Sequence, residues 1–549
     1  MLKKIFICIT IWIIPRTLCA QQDKVILKVK TNSESVTKLI DSIYIGQGQN
    51  INNVKDSLIQ IYQRKGFPMV SLSHNLRNPK DTIFLNLGQE ITTAIITEKI
   101  KNEAWGMSMN SLSRKRTYSI PFSKIDSRIR TIQDSLETQG IPFTKLKLSE
   151  STISNDSIFT TITIQIEKNR TIDKIVYKGM KKIPKNLKGF LGRKKLTYNK
   201  ENISYIEKEI NDSQIAKIVK SSEALFKQDS TKLYVYLEKA RKNSIEGMVG
   251  LNNPENEKTQ INGFADVALL NILNATEEIN LKYRNDGNEI STLDAGLSVP
   301  FVILNSVGVS GRLNITRRDS TYQNEKIETG LFYQYSLASQ FGLNYSSTTS
   351  TDLSVNGNIG TFKRSGISTA VSFKHYNQDT FDGTSSFLVD TDIGYYIREK
   401  DDQNSNQFII DATISKVWHL NSKNEVYNRV NMYVLESDDI LFSELKQLGG
   451  IDTIRGFAEN VIDSSNYITL ITEYRRRLND GLYAYGIFDV GRFQDFTQSE
   501  MRNVYGIGAG IAILTKSGIL TLSVANGNFD KANFELSSAI AHINMKINF

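Results

Sequence analysis

His542-Ile543-Asn544-Met545-Lys546-Ile547-Asn548-Phe549 places an apolar residue at every second position and a polar one between each pair. Successive side chains of an extended strand point to opposite faces, so this stretch reads as a strand with one apolar and one polar face. The same period runs back through the chain. Val307, Val309, Leu313 and Ile315 alternate with Ser310, Arg312, Asn314 and Thr316. Leu331, Tyr333, Tyr335 and Leu337 precede Phe341, Leu343 and Tyr345, and Ala338-Ser339-Gln340 between the two sets reads as a hairpin turn. Phe387, Val389, Ile393, Tyr395 and Ile397 form one more such face. Residues 243–549 therefore read as all strand.

Two architectures accept strands of this kind. A soluble sandwich or β-helix turns the apolar face into a core, whereas a membrane barrel turns it toward lipid and keeps a polar lumen. Strands near ten residues, short turns alternating with polar loops at 346–358 and 400–406, and abundant Tyr and Phe favour the barrel. At roughly 19 residues per strand and loop, the segment holds about 16 antiparallel strands. The stretch 258–288 is too weakly patterned to give strand boundaries.

Residues 1–20 differ from the rest. Lys3 and Lys4 precede an apolar run from Ile5 to Ile14, and Leu18-Cys19-Ala20 precedes Gln21. This is the pattern of a cleaved secretory signal peptide, and the run is too short to span a bilayer, which needs about 20 residues. Cleavage after Ala20 removes Cys8 and Cys19, leaving no thiol for a disulfide or a metal site. It also removes Lys3, Lys4 and Arg16, so the formal charge falls from +9 to +6. That modest charge is no argument for a nucleic-acid partner, which calls for a clustered basic face.

Between the signal and the barrel lies a weak repeat. A helical pattern ends at Gly66 before Phe67-Pro68, and another ends at Gly140 before Ile141-Pro142. Glycine at these points suits a left-handed helix cap. Each is followed by a strand pair, at 69–76 with 82–87 and at 145–149 with 159–167. A third unit has a strand at 172–177, a helix at 200–211 and strands at 223–227 and 233–238. Units with the order β-α-α-β-β are expected at 21–89, 90–171 and 172–242, ahead of the barrel at 243–549.

Enzyme signatures are weak. His74, His375, His419 and His542 are dispersed, with no metal-ligand spacing, and neither a nucleophile elbow nor a phosphate loop is present. Ser35-Val36-Thr37-Lys38 fits a serine–lysine dyad pattern that is common on surface helices. No catalytic residue, metal or cofactor is expected.

The sharpest motif is Leu448-Gly449-Gly450-Ile451-Asp452-Thr453-Ile454-Arg455-Gly456-Phe457. It resembles the (V/I)-R-G-(F/Y) loop of the POTRA-plus-barrel superfamily of outer-membrane insertases and translocases, typified by BamA, TamA and the two-partner secretion transporters. Asp489-Val490-Gly491 resembles the family's F-x-D-x-G strand, with Ile487 in place of the aromatic residue. The terminal Phe549, behind Ile543, Met545 and Ile547, resembles the C-terminal signal of bacterial outer-membrane barrels.

The resemblance implies α+β POTRA repeats followed by an all-β transmembrane barrel in a Gram-negative outer membrane, with the repeats in the periplasm. It implies that the loop of Gly449, Gly450, Ile454, Arg455, Gly456 and Phe457 folds into the lumen, where Glu473 and Asp489 are the candidate partners of Arg455. The barrel would close between its first strand, at Gly247 and Gly250, and its last. Such a protein captures unfolded outer-membrane or secreted clients by strand addition and passes them through or beside a laterally opening barrel. Its partners would be those clients, the lipid bilayer and periplasmic or inner-membrane accessory proteins. The layout is closest to TamA; a two-partner secretion transporter and a porin-like channel are the alternatives.

Overall fold

The computed structural model describes residues 26–30 and 51–549, apart from 76–81, 103–115, 241–242, 253–259, 286–289, 304, 355–358, 377–379, 382–384, 498–499, 516–517 and 531–538. The expected signal segment 1–20 and the Ser35–Lys38 stretch lie outside the described residues. The chain divides into two units, one of residues 1–170 with 197–199 and one of residues 171–196 with 200–549.

The first unit holds two small sheets. In one, Ile26–Lys30 runs parallel to Thr82–Asn86, which pairs antiparallel with Ser71–Asn75. Helix Ile51–Arg64 buries Leu58 and Tyr62 and stops at Gly66, whose φ of 109° is accessible without strain only to glycine. In the other, the order is Arg116–Pro121, Thr93–Asn102, Ser157–Ile166, Thr144–Ser154. Helix Ile125–Thr138 packs Ile132 and Leu136 onto Ala94, Ile96, Ile162 and Ile164. Here the described residues depart from the expected order. An edge strand at Arg116–Pro121 precedes a single helix, because Tyr118 and Ile120 alternate into the same core while the strand pairs with Thr93–Glu98.

The second unit begins with Lys174–Lys178, helices Lys185–Gly192 and Lys200–Asp212, and strands Ala216–Phe226 and Thr231–Lys239. The last strand is central, with Leu233, Val235 and Leu237 fully buried beneath the helices. The short helix at 185–192 is not legible in the sequence, since Gly189 and Gly192 weaken its helical signal. These elements dock on the barrel. Arg193 donates to the carbonyls of Tyr335 (2.7 Å) and Gln334 (3.3 Å), and the Leu337 N–H donates to the Glu209 carboxylate at 2.7 Å.

The barrel is a closed antiparallel ring of sixteen strands, from Ser244–Asn252 to Ile540–Asn548. A further short strand, Lys446–Leu448, belongs to the loop between the eleventh strand (Asn424–Ser437) and the twelfth (Ile462–Asn479). Alternation sorts the side chains. Leu331 sits opposite Leu343, Tyr333 opposite Phe341, and Ile367 opposite both Tyr345 and Tyr395; all are exposed on the outer wall. The inner face carries Arg312 on Asp294 at 2.8 Å, and Asp392 accepting from Ser368 and Asn344. A continuous apolar belt outside, polar residues inside and a ladder that closes into a ring are what lipid demands, so the soluble-sandwich alternative does not apply.

Four local expectations are corrected. Strands reach 19 residues, at Gln403–Asn421, because polar residues beyond the apolar belt continue the ladder. The expected polar loop at 346–358 is strand as far as Asp352. That at 400–406 contracts to Asp401-Asp402, with φ of 50° and 60°, a two-residue hairpin turn that aspartate tolerates. The turn placed at 338–340 is Leu337-Ala338, since Ser339 pairs with Ser336 and Gln340 with Gln334. The unpatterned stretch 258–288 contains strands Gln260–Leu270 and Glu278–Asn285.

Candidate functional site: a pinned lumen loop and a short seam

Residues 438–461 leave the eleventh strand and fold against the inner wall. The turn is built locally. The Gly449 N–H donates to the Thr453 hydroxyl at 2.8 Å, that hydroxyl donates to the Gly449 carbonyl at 2.9 Å, and Gly450 bridges to Ile454. Gly449, Gly450 and Gly456 have φ of 121°, 88° and 90°, and a Cβ on Gly456 would overlap the backbone at Asn526. Ile454 is fully buried among Leu448, Tyr433, Leu435 and Val504.

This turn aims Arg455 at the wall. Its Nε and Nη2 donate to the two oxygens of Asp489 at 2.8 and 2.6 Å, its backbone N–H adds a third bond at 3.1 Å, and its Nη1 donates to Glu473. The other Glu473 oxygen accepts from Arg475 at 2.7 Å, and Arg475 also reaches Glu425 at 3.2 Å. The side chains of Arg455 and Asp489 are 4% and 1% exposed. A bidentate guanidinium–carboxylate pair sheltered from water is both strong and geometrically selective.

The neighbouring strands leave room for the loop. A Cβ on Gly506 would overlap the Arg455 carbonyl, and one on Gly527 would overlap the Phe457 ring. Gly491 lies two residues beyond Asp489, close against Thr469 and Val504 rather than the loop. Ile487 faces inward into a cluster with Tyr483 and Tyr485, while the adjacent Phe488 is exposed on the outer wall. Phe457 instead packs edge-on against Phe529, with ring centroids 4.9 Å apart.

Two further anchors escaped the sequence reading. Glu444, in the short helical turn Phe442–Glu444, is fully buried and accepts from Arg398 at 2.6 Å and Gln407 at 2.8 Å, with Arg364 at 3.7 Å. Asp452 pairs with Arg284 of the third strand at 2.7 Å and Arg429 of the eleventh at 3.5 Å. The three anchors engage the third wall strand, the eighth to thirteenth, and hence both sides of the lumen. Only pattern-matching of inward Arg positions to loop carboxylates could have found them, and the sequence does not specify which Arg meets which acid.

The seam is the other candidate feature. Among the described residues, the first strand pairs with the last at Ser244–Asn548, Ile245–Ile547, Glu246–Lys546 and Gly247–Met545 alone. The same first strand pairs with the second strand over all nine of its residues, Gly250 opposite Asn262 among them. Gly247 thus stands at the last seam pair, and Gly250 lies beyond it. Ile543, Met545, Ile547 and Phe549 point outward, and the Phe549 N–H donates to the Asn243 carbonyl at 2.9 Å.

Fold and site together define a transmembrane β-barrel of sixteen strands, crossed by a loop that ion pairs hold in its lumen. No protein-family model and no curated relative matches the sequence. Among solved structures, CdiB from Escherichia coli covers 91% of this chain and 98% of its own at 12% identity, with a TM-score of 0.53. CdiB from Acinetobacter baumannii covers 83% of this chain and 90% of its own at 14% identity, with a TM-score of 0.54. BamA from Haemophilus ducreyi lacking POTRA domains 1–3 covers 82% and 98% at 10% identity, with a TM-score of 0.46. The chain has the fold of CdiB.

Proposed function

We propose that this protein is an outer-membrane assembly factor that inserts barrel clients through a laterally opening seam, and that it is not an enzyme. The observation that carries the reading is the four-pair seam in a barrel whose other strand pairs run much longer. Ladder bonds hold a barrel closed, so a junction with few of them is where it parts most cheaply. A parted seam exposes two strand edges, on which an incoming client strand can pair. The pinned loop supports the same reading, because it lies across the lumen, where Arg455, Glu473 and Asp489 tie it to the adjoining wall. The three N-terminal sheet units serve as periplasmic POTRA domains, whose edge strands capture extended clients and hand them to accessory proteins or to the barrel.

A second reading, secretion of a polypeptide through the lumen, is favoured by the fold shared with CdiB. It requires the loop to leave its three anchors. Reconstitution into liposomes with an unfolded barrel client separates the two. Protease-protected folding that accelerates with the wild type and fails with Arg455→Ala supports insertion. Absence of acceleration, together with ion conductance that rises when the loop anchors are removed, supports the translocation pore.

A further inference from the structure

The outer wall is not uniformly studded with large side chains. Between the twelfth and sixteenth strands it sinks into an apolar groove of about 690 Å³. Its floor is made by Ala484, Gly486 and Ala509, and its walls include Tyr474, Leu522 and Ile543. Gly486 faces outward with open space where a Cβ would project. The groove thus exists because three neighbouring outward positions carry little or no side chain.

Its polar end is Arg476. This residue stands in one ladder row with Ala484, Ile511, Leu522 and Ile543, and it is exposed on the same outer face. Its side chain has no carboxylate partner among the described residues. The turn at Asn479–Gly481 follows three residues later, about 10 Å further along the strand. An arginine facing lipid is unfavourable at the bilayer centre and tolerated near the interface, where it meets phosphate. Tyr474, one row deeper, donates its hydroxyl to Asn424 at 2.9 Å, the amphipathic placement expected of an interfacial tyrosine.

We propose that this groove is a phospholipid site, in which one acyl chain lies over Ala484, Gly486 and Ala509 while Arg476 holds the phosphate of an anionic lipid. The apolar trough and the single unpaired cation at its interfacial end match the two parts of such a molecule. This rests on the membrane-spanning reading of the barrel, but not on any client activity.

The test uses the full-length protein in detergent with dioleoylphosphatidylglycerol, read by native mass spectrometry. The wild type should retain one tightly held lipid. Arg476→Gln should lower its occupancy about fivefold, the loss of one cation at an anionic surface. Gly486→Leu, which has room to fold, should lower it as far by filling the trough. Ile367→Leu, on the outer wall away from the groove, should leave it unchanged. Equal retention in wild type, Arg476→Gln and Gly486→Leu overturns the proposal, as does an equal loss in Ile367→Leu. Disulfide-linked dimers of Gly486→Cys in membranes would give the groove to a second copy and overturn it too. The lipid readout contains no client, so its failure and a failure of client insertion are seen separately.

Discussion

Arg455 clasps Asp489 with two parallel hydrogen bonds, 2.8 and 2.6 Å long, from a loop to a strand 34 residues later. The pair is nearly dry; removal of Arg455 strands Asp489, whereas Arg455 without Asp489 keeps only Glu473. Arg455→Ala should destabilise the barrel by about 3–5 kcal/mol, the cost of an unpaired buried charge, and Asp489→Asn by less, since Glu473 still faces the guanidinium. Heat-modifiable gel migration reads this as a lower unfolding temperature. Arg455→Lys should rescue only in part, because an ammonium cannot form the planar fork. In the double variant the losses should fall short of additive; strictly additive losses would show that the two residues do not act as a unit.

Glu444 is the loop's second anchor. Glu444→Gln keeps the shape but leaves Arg398 and Arg364 facing a neutral amide. The loop should then leave its place more often. Planar-bilayer recordings should show longer and more frequent open events than in the wild type, while a trace as quiet as wild type would mean that the Arg455 and Asp452 anchors hold the loop without Glu444.

Gly247 and Met545 face each other at the last seam pair. Directly opposed strand residues lie within the reach of a disulfide. Gly247→Cys with Met545→Cys introduces a pair into a chain whose only other cysteines are Cys8 and Cys19. Oxidised, this variant should lose client insertion; reduced, it should recover. Undiminished insertion in the oxidised form would rule out lateral opening.

Gly527 lies beneath the Phe457 ring. Gly527→Val should push the ring off Phe529 and loosen the loop, at a cost of roughly 1–3 kcal/mol. Gly486→Val, on the lipid side of the wall, should cost far less. Comparing the two unfolding temperatures checks that the inner glycine serves the loop and not the strand.

Burial in its helix pushes the Glu209 carboxyl above the usual carboxylate range, against the opposing effect of the Leu337 N–H. A carboxyl raised in the folded state contributes stability that is fully present below its unfolded value and lost as pH rises through its folded one. Thermal stability of the folded chain should therefore fall as pH climbs out of the ordinary carboxylate range. Glu209→Gln should flatten that slope in thermal melts taken at a series of pH values.

Much of this was legible in the residues themselves. Alternation at Leu331, Tyr333, Phe341 and Leu343 specifies strands with one apolar face, since the strand repeat is two whatever the partner. The number of strands follows from length, and Gly66 marks a helix end because few other residues take that backbone angle. Arg455 and Asp489 were found in two separate short motifs, and Glu473 as the partner that the family resemblance implied. Local pattern could not say which apolar face meets solvent, lipid or core; only ring closure decides that. Nor could it find Glu444 on Arg398, or Asp452 on Arg284, since a carboxylate meets any guanidinium that the fold brings near. Arg116–Pro121 became an edge strand because Thr93–Asn102 offered it a ladder. The four-pair seam and the groove beside Arg476 likewise arise from strand stagger and from neighbours distant in the chain. The sequence thus determined periodicity, chain order and the chemistry at each position, which are local properties. The tertiary structure alone decided register, pairing and enclosure, which depend on where the barrel closes.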